Sequence, residues 1–247
     1  MRWLACCSAA LLLVACGGGS HRTANPFADS STPLAVRSDG LYATAPTADV
    51  HTVSFRGVGN SRVPAFIVVP HAAGRHPAVL FLHGSGGTRL DLIGSAAKLA
   101  LGGVVTMTIT EPADAQTYRP LVVDARRALD VLAARPDVDS SRLGVVGFSL
   151  GGQIAAILAG ADPRPKAVGI IAGRGTDVAR YWIRRTHAHL FFQAGTEDDV
   201  VPHDQLLALM HAAPDGPRIR WYAIRHELTA PLLRDQLAWQ DSQLRVR

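Results

Sequence analysis

One stretch limits what this chain can fold into: Gly147-Phe148-Ser149-Leu150-Gly151. In front of it stands Arg142-Leu143-Gly144-Val145-Val146, apolar and β-branched, the mark of a short buried strand. Behind it runs Gly152-Gln153-Ile154-Ala155-Ala156-Ile157-Leu158-Ala159, a good helix former. A backbone that passes from strand to helix so abruptly forces strained angles on Ser149. A side chain two residues to either side would strike the crossing elements, and Gly147 and Gly151 remove it, with Gly144 easing the packing nearby. The turn would hold the Ser149 hydroxyl at the C-terminal end of a strand, against a helix N-terminus whose free N–H groups favour developing negative charge. The same residues alone would also serve as a plain strand-to-helix turn with a capping serine, so the rest of the chain has to decide.

Around this turn the pattern is strand, helix, strand, helix. Residues 50–56 alternate, residues 57–60 are turn chemistry, and residues 63–69 resume as a strand stopped by Pro70, which predicts an antiparallel hairpin at a sheet edge. Residues 78–82 are continuously apolar, as expected for a strand covered on both faces. Strands follow at 104–109, 142–146, 167–171, 190–193 and 219–224. Helices are expected at 90–101, 121–134, 153–159, 177–185, 205–211 and 232–244. This predicts an α/β fold: a mostly parallel sheet of about eight strands with helices on both faces and ligand chemistry at the C-terminal strand ends. Between Gly173 and His189 there is room for a single helix and not for a separate lid domain.

Length and composition exclude other classes. The chain has 247 residues and is 48% hydrophobic, enough for one large domain and not for general disorder. The formal net charge is +5, yet the arginines are scattered, without a basic run or interleaved aromatics, so no nucleic-acid footprint is expected. All three cysteines, Cys6, Cys7 and Cys16, fall near the start, which leaves the body of the chain without a disulfide or a cysteine metal site.

An N-terminal leader accounts for those cysteines. Met1-Arg2-Trp3 is followed by an apolar run from Leu4 to Ala15, shorter than the roughly 20 residues of a spanning helix and matching the apolar part of a secretory signal. Its end, Leu13-Val14-Ala15-Cys16, resembles the lipobox of bacterial lipoproteins. The resemblance implies cleavage before Cys16, acylation of its sulfur, and a lipid-anchored place in the bacterial cell envelope, periplasmic or surface-facing. Residues 16–48, beginning Gly17-Gly18-Gly19-Ser20, then read as the lipidated cysteine and a flexible tether, and residues 49–247 as the domain.

Acyl transfer by a serine needs a base, an acid to orient that base, and N–H donors for the oxyanion. Leu82-His83-Gly84-Ser85-Gly86-Gly87 directly follows a strand, and its glycines let backbone N–H groups turn inward. The expected donors are Ser85 N–H and Leu150 N–H. The lysine and hydroxyl spacing of a phosphate-binding loop is missing there. An acid lies in Gly195-Thr196-Glu197-Asp198-Asp199-Val200-Val201-Pro202, where three carboxylates in a row leave the choice open on residue chemistry alone. His226, after the last strand, is the candidate base, with His203 as the fallback. His187 and His189 could place two imidazoles on one strand face, but no third metal ligand lies nearby.

The loop His83–Gly87, the helix with Asp124 and Leu132, the Gly147–Gly152 turn, the segment Gly195…Asp198…Val201-Pro202 and His226 together resemble the α/β-hydrolase superfamily, on its dienelactone-hydrolase and prolyl-oligopeptidase-like side. The resemblance covers about residues 49 to 247. It implies a catalytic triad of Ser149, Asp198 and His226, assigns the acid to Asp198 over Asp199, and implies neither cofactor nor metal. It also implies a carboxylic ester as the small-molecule substrate, with a small or short acyl group; a peptidase, thioesterase or acyltransferase would use the same residues, and a non-catalytic envelope binding protein would keep the same fold. One departure is that Glu227-Leu228 follows the histidine where many members have Gly-Phe.

Overall fold

The computed structural model describes residues 25–28, 32–111, 117–214 and 216–244. The leader and Cys16 lie outside the described residues, as does the first part of the expected tether. Three strands open the fold: β1 (Arg37–Ala45), β2 (Ala48–Arg56) and β3 (Arg62–Pro70). Then follow β4 (His76–Leu82), α1 (Ile93–Leu101), β5 (Val105–Ile109), α2 (Tyr118–Ala133), β6 (Val138–Phe148) and α3 (Leu150–Ala161). The chain continues through β7 (Pro165–Ile171), α4 (Asp177–Ile183), β8 (His189–Gly195), α5 (His203–Ala212), β9 (Arg218–Tyr222) and α6 (Ala230–Leu244).

Among the described residues the strands form one nine-stranded sheet in the order β1-β2-β3-β5-β4-β6-β7-β8-β9. The first three run antiparallel, β3 also meets β5 antiparallel, and every pairing from β5 through β9 is parallel. The fold is the expected α/β hydrolase sheet, and residues 174–188 contain the single helix α4 and no lid domain. All seven residues of β4 are buried, as a doubly covered parallel strand requires. Alternation of its side chains divides the core. Leu80 and Leu82 join the cluster under α2 and α3, while Val79 and Phe81 join the one under α1 and α6.

The N-terminal side differs from expectation. Residues 37–45 fall within the stretch that composition assigns to a tether, yet they form β1 and become the edge of the sheet in place of the hairpin. Nearly all of β1 is exposed, and its pairing with β2 slips twice, so no inward-outward alternation is written into it. Further upstream, Phe27 is 5% exposed and stacks on Trp182 at 5.3 Å between ring centroids. Three arginines of α2 donate to carbonyls of this segment: Arg119 to Pro26, Arg126 to Phe27, and Arg127 to Thr32 and Pro33. Asn25 Nδ2 donates to Ala161 O, at the last residue of α3. The domain thus already includes Asn25, well ahead of Asp49. A segment held by side-chain bonds to its own carbonyls leaves no periodic mark in its own composition.

Candidate active site

The parallel register sets where the site must be. β4, β6, β7, β8 and β9 all end on one side of the sheet, and each candidate residue lies just beyond one of those ends. Ser149 separates β6 from α3 with φ 55° and ψ −115°, a left-handed conformation that a serine adopts only under constraint. The constraint is visible. Ser149 N–H donates to Ile171 O at 2.8 Å, tying the turn to the end of β7. A Cβ at position 147 would overlap the carbonyl of Gly151, and one at 151 would overlap the carbonyl of Leu82. Both clashes are with backbone, which cannot swing away. A Cβ at 144 would strike the Gln240 amide on α6 instead.

The three polar side chains meet across the strand ends. Ser149 Oγ lies 2.8 Å from His226 Nε2, and His226 Nδ1 lies 2.8 Å from Asp198 Oδ2. With Nδ1–H donating to the carboxylate, Nε2 is left as an acceptor for the serine hydroxyl. Asp198 is held in turn: its Oδ1 accepts from the N–H groups of Val200 and Val201, both at 2.9 Å. Burial pushes the Asp198 carboxyl up, but the Val201 N–H, the His226 ring and the Val200 N–H outweigh it and hold the group below its ordinary value. The carboxylate is therefore charged at neutral pH.

The neighbours divide differently. Asp199 points to solvent and pairs with Arg225. The His203 ring contacts the Gly195 carbonyl at 3.0 Å and packs on Trp221 at 4.9 Å between centroids. Neither belongs to the Ser149 constellation. His187 and His189 are exposed, and no group of three or more histidine, cysteine, aspartate or glutamate side chains among the described residues is arranged to hold a metal.

The two expected oxyanion donors belong to different elements. Leu150 is the first residue of α3, so its N–H belongs to a helical turn with no acceptor inside the helix. Gly84 to Gly87 form a β-turn closed by Gly87 N–H to Gly84 O at 3.1 Å, with φ 73° at Gly86, as a type II turn demands. Ser85 stands on that turn. Ser85, Ser149 and Leu150 together line a cavity of about 150 Å³, completed by Gln153, Arg174, Val200 and Val201.

Over residues 63–223 the sequence matches the dienelactone hydrolase family. The chain belongs to that family. It is also similar to 2,6-dihydropseudooxynicotine hydrolase of Paenarthrobacter nicotinovorans, 26% identical over 144 residues, covering 56% of this chain and 38% of the relative. Esterase EstD of Thermotoga maritima is 32% identical over 125 residues, covering 44% of this chain and 29% of the relative. The chain thus matches well under half the length of either. Among solved structures, acetyl xylan esterase 1 from Thermoanaerobacterium sp. JW/SL YS485 superposes with a TM-score of 0.78 at 16% identity, covering 90% of this chain and 91% of the other. The acetyl xylan esterase from Paenibacillus sp. R4 gives 0.74 at 18% identity, covering 86% and 90%. At those identities the two structures establish the fold alone.

The packing roles of several residues of this dienelactone hydrolase family member escape sequence reasoning. Phe148 packs its ring against His226, with centroids 5.0 Å apart. Gly195 is required because the acid loop and the histidine loop cross there; a Cβ would overlap Ile224 O and approach Arg225 O at 2.6 Å. The same crossing is stitched by Thr196 N–H to Tyr222 O and Glu197 N–H to Ile224 O. Gln153, buried at the cavity, donates to Thr176 Oγ1 at 3.0 Å and ties α3 to the start of α4.

His83 braces the Gly84–Gly87 turn. Its Nε2 accepts from Glu111 N–H at 3.2 Å, which leaves Nδ1–H to donate to Gly84 O at 2.7 Å. The ring is therefore neutral, and its 4.0 Å approach to the Glu111 carboxyl is not an ion pair. That carboxyl is 4% exposed and neither oxygen has a hydrogen-bond partner among the described residues. Burial, with the charge of Asp124 second, pushes Glu111 up to about 8, so it is protonated at neutral pH.

Proposed function

We propose that this chain is a serine esterase that works through Ser149, His226 and Asp198. The observation that carries the reading is the unbroken line from Ser149 Oγ through His226 to Asp198, with both links at 2.8 Å. His226 Nε2 takes the hydroxyl proton as Ser149 Oγ attacks the acyl carbon. The imidazolium formed is stabilised by the Asp198 carboxylate at Nδ1. The carbonyl oxygen, now an oxyanion, accepts hydrogen bonds from the Ser85 and Leu150 N–H groups. Collapse of the tetrahedral intermediate expels the alkoxide, which takes the proton from His226, and leaves an ester on Ser149. A water deprotonated by His226 then repeats the attack and frees the acid.

The substrate in this reading is a carboxylic ester with a short acyl group. A cavity of about 150 Å³, lined by Val200, Val201 and Gln153 beside Ser149, accepts acetyl or butyryl more readily than a long chain. The fold shared with two acetyl xylan esterases makes acetyl the first choice. The leader residues support a second element of the proposal: acylation at Cys16 anchors the enzyme in the bacterial cell envelope.

Hydrolysis of p-nitrophenyl acetate, butyrate and octanoate by the wild type and by Ser149→Ala tests the proposal. Acetate and butyrate turnover should fall by about 10³-fold or more in the variant, with octanoate the poorest substrate of the wild type. Equal rates in the two proteins would refute the assignment.

A further inference from the structure

Asn25, the first described residue, lies on the side of the domain remote from the cavity. Helix α3 runs from the catalytic turn to Ala161, and Asn25 is bonded to the carbonyl at that far end. Its 12 residues separate the two points by about 18 Å. Phe27, two residues on, is clamped between Trp182 at the end of α4 and Arg126 of α2. Eight residues, 17–24, lie between Cys16 and Asn25. Even stretched straight, those nine peptide steps span only about 30 Å. The expected tether of 33 residues, 16–48, is in effect much shorter, because the domain holds residues 25–28 and 32–48 of it.

The surface beside this exit suits one neighbour. Tyr181 is 49% exposed and Val178 38%, in a helix whose Trp182 carries the docked Phe27. Arg184 and Arg185 follow at once, both exposed, and the Arg185 guanidinium lies over the Tyr181 ring at 3.7 Å. Lys166 is exposed in β7, near its N-terminal end. None of these three cations has an acidic partner among the described residues, whereas Arg135, Arg142 and Arg164 at the same end of the sheet are each paired with an aspartate. Exposed aromatics and unpaired arginines close to a tethering point are complementary to anionic lipid headgroups. Turning the domain over would lift Asn25 at least the ~18 Å length of α3 above the lipid, use most of the tether, and leave the basic patch in water.

We infer that the face carrying Tyr181, Arg184, Arg185 and the docked Asn25–Phe27 segment rests on the anionic membrane surface that holds Cys16, so that the catalytic cavity opens away from the bilayer and takes its esters from the aqueous side. This rests on the lipid-anchored part of the proposal above and not on the chemistry of the triad.

No cysteine follows Cys16, so single introduced cysteines label cleanly. The acylated full chain, carrying a fluorophore at Arg184→Cys or at Val200→Cys, is reconstituted on vesicles of equimolar phosphatidylcholine and phosphatidylglycerol with a headgroup quencher. Quenching should be several-fold stronger at position 184 than at the cavity mouth. In parallel, the Cys16→Ser chain should sediment with the same vesicles in a salt-sensitive manner. Its Tyr181→Ala/Arg184→Ala/Arg185→Ala variant should bind about tenfold more weakly, with turnover of p-nitrophenyl acetate unchanged. Equal quenching at the two positions overturns the orientation, and equal binding by the variant overturns the lipid-facing surface. A wild-type chain lacking acyl mass at Cys16 overturns the anchor and the orientation with it, which the vesicle sedimentation arm distinguishes from a failure of the patch.

Discussion

The two ends of helix α3 are built on opposite principles. At its start, order comes from backbone meeting backbone: Gly147 against Gly151, Gly151 against the Leu82 carbonyl, and Ser149 forced to φ 55° between them. At its end, order comes from side chains reaching for carbonyls. Asn25 bonds Ala161, and Arg119, Arg126 and Arg127 bind the segment that passes over α2. Close backbone approach admits glycine alone and leaves no second solution. An arginine clamp works at many positions and tolerates substitution of its partners, since any residue offers a carbonyl. The catalytic end is therefore rigid and intolerant, and the docking end graded.

This contrast can be broken or sharpened by mutation. The largest effect belongs to Gly147→Ala. Its Cβ has nowhere to go but into the Gly151 backbone, so the variant should fail to accumulate as folded protein or lose more than about 4 kcal/mol in denaturant unfolding. Accumulation with wild-type stability would mean that the turn relaxes and that backbone approach does not fix it.

Next comes Asp198→Asn, which keeps the shape of the triad and removes its charge. Turnover of p-nitrophenyl acetate should drop by about 10³- to 10⁴-fold, because the imidazolium loses its partner and the tautomer its anchor. The depressed Asp198 carboxyl adds an acid-side signature. It stabilises the fold above the ordinary carboxylate range, and this contribution disappears as pH falls through the lowered value. The stability gap between wild type and Asp198→Asn should accordingly close in strong acid, as followed by thermal melts across pH.

At the docking end, Arg126→Ala/Arg127→Ala should lower the melting temperature by roughly 5–10 °C and speed proteolytic cutting within residues 25–34, with turnover per folded molecule unchanged. A parallel loss of turnover would show that the two ends are coupled through α3.

The smallest effect is Glu111→Gln. Ionising a carboxyl that is protonated in the fold and free in the unfolded chain costs stability progressively from the ordinary glutamate value up to about 8. The variant should match the wild type near pH 5 and gain several degrees of melting temperature on it by pH 9. A constant gap across that range would mean that Glu111 is not protonated at neutral pH.

The same contrast explains what the sequence discloses. The Ser149 turn, the Gly84–Gly87 turn and the parallel core can be read directly, because glycine spacing and unbroken apolar runs are local consequences of tight turns and doubly covered strands. Asp198 is separated from Asp199 only by the resemblance to a family; in the structure the difference is that one carboxylate faces His226 and the other pairs with Arg225. β1 is invisible because all but its last residue are exposed, so burial imposes no alternation on it. The docked segment around Phe27 is invisible because its partners are more than 90 residues away in the chain. Glu111 and the bracing role of His83 escape for a related reason: a buried carboxyl with no partner among the described residues is a property of packing and not of spacing.

The central claim is that Ser149 is an activated nucleophile, and a fluorophosphonate probe tests it with least interpretation. Intact-mass and peptide mapping should show one adduct, on the peptide holding Ser149. Labelling should be abolished in Ser149→Ala and slowed by orders of magnitude in His226→Ala. A folded wild-type protein that takes no label, or a label on any other serine, would contradict the account.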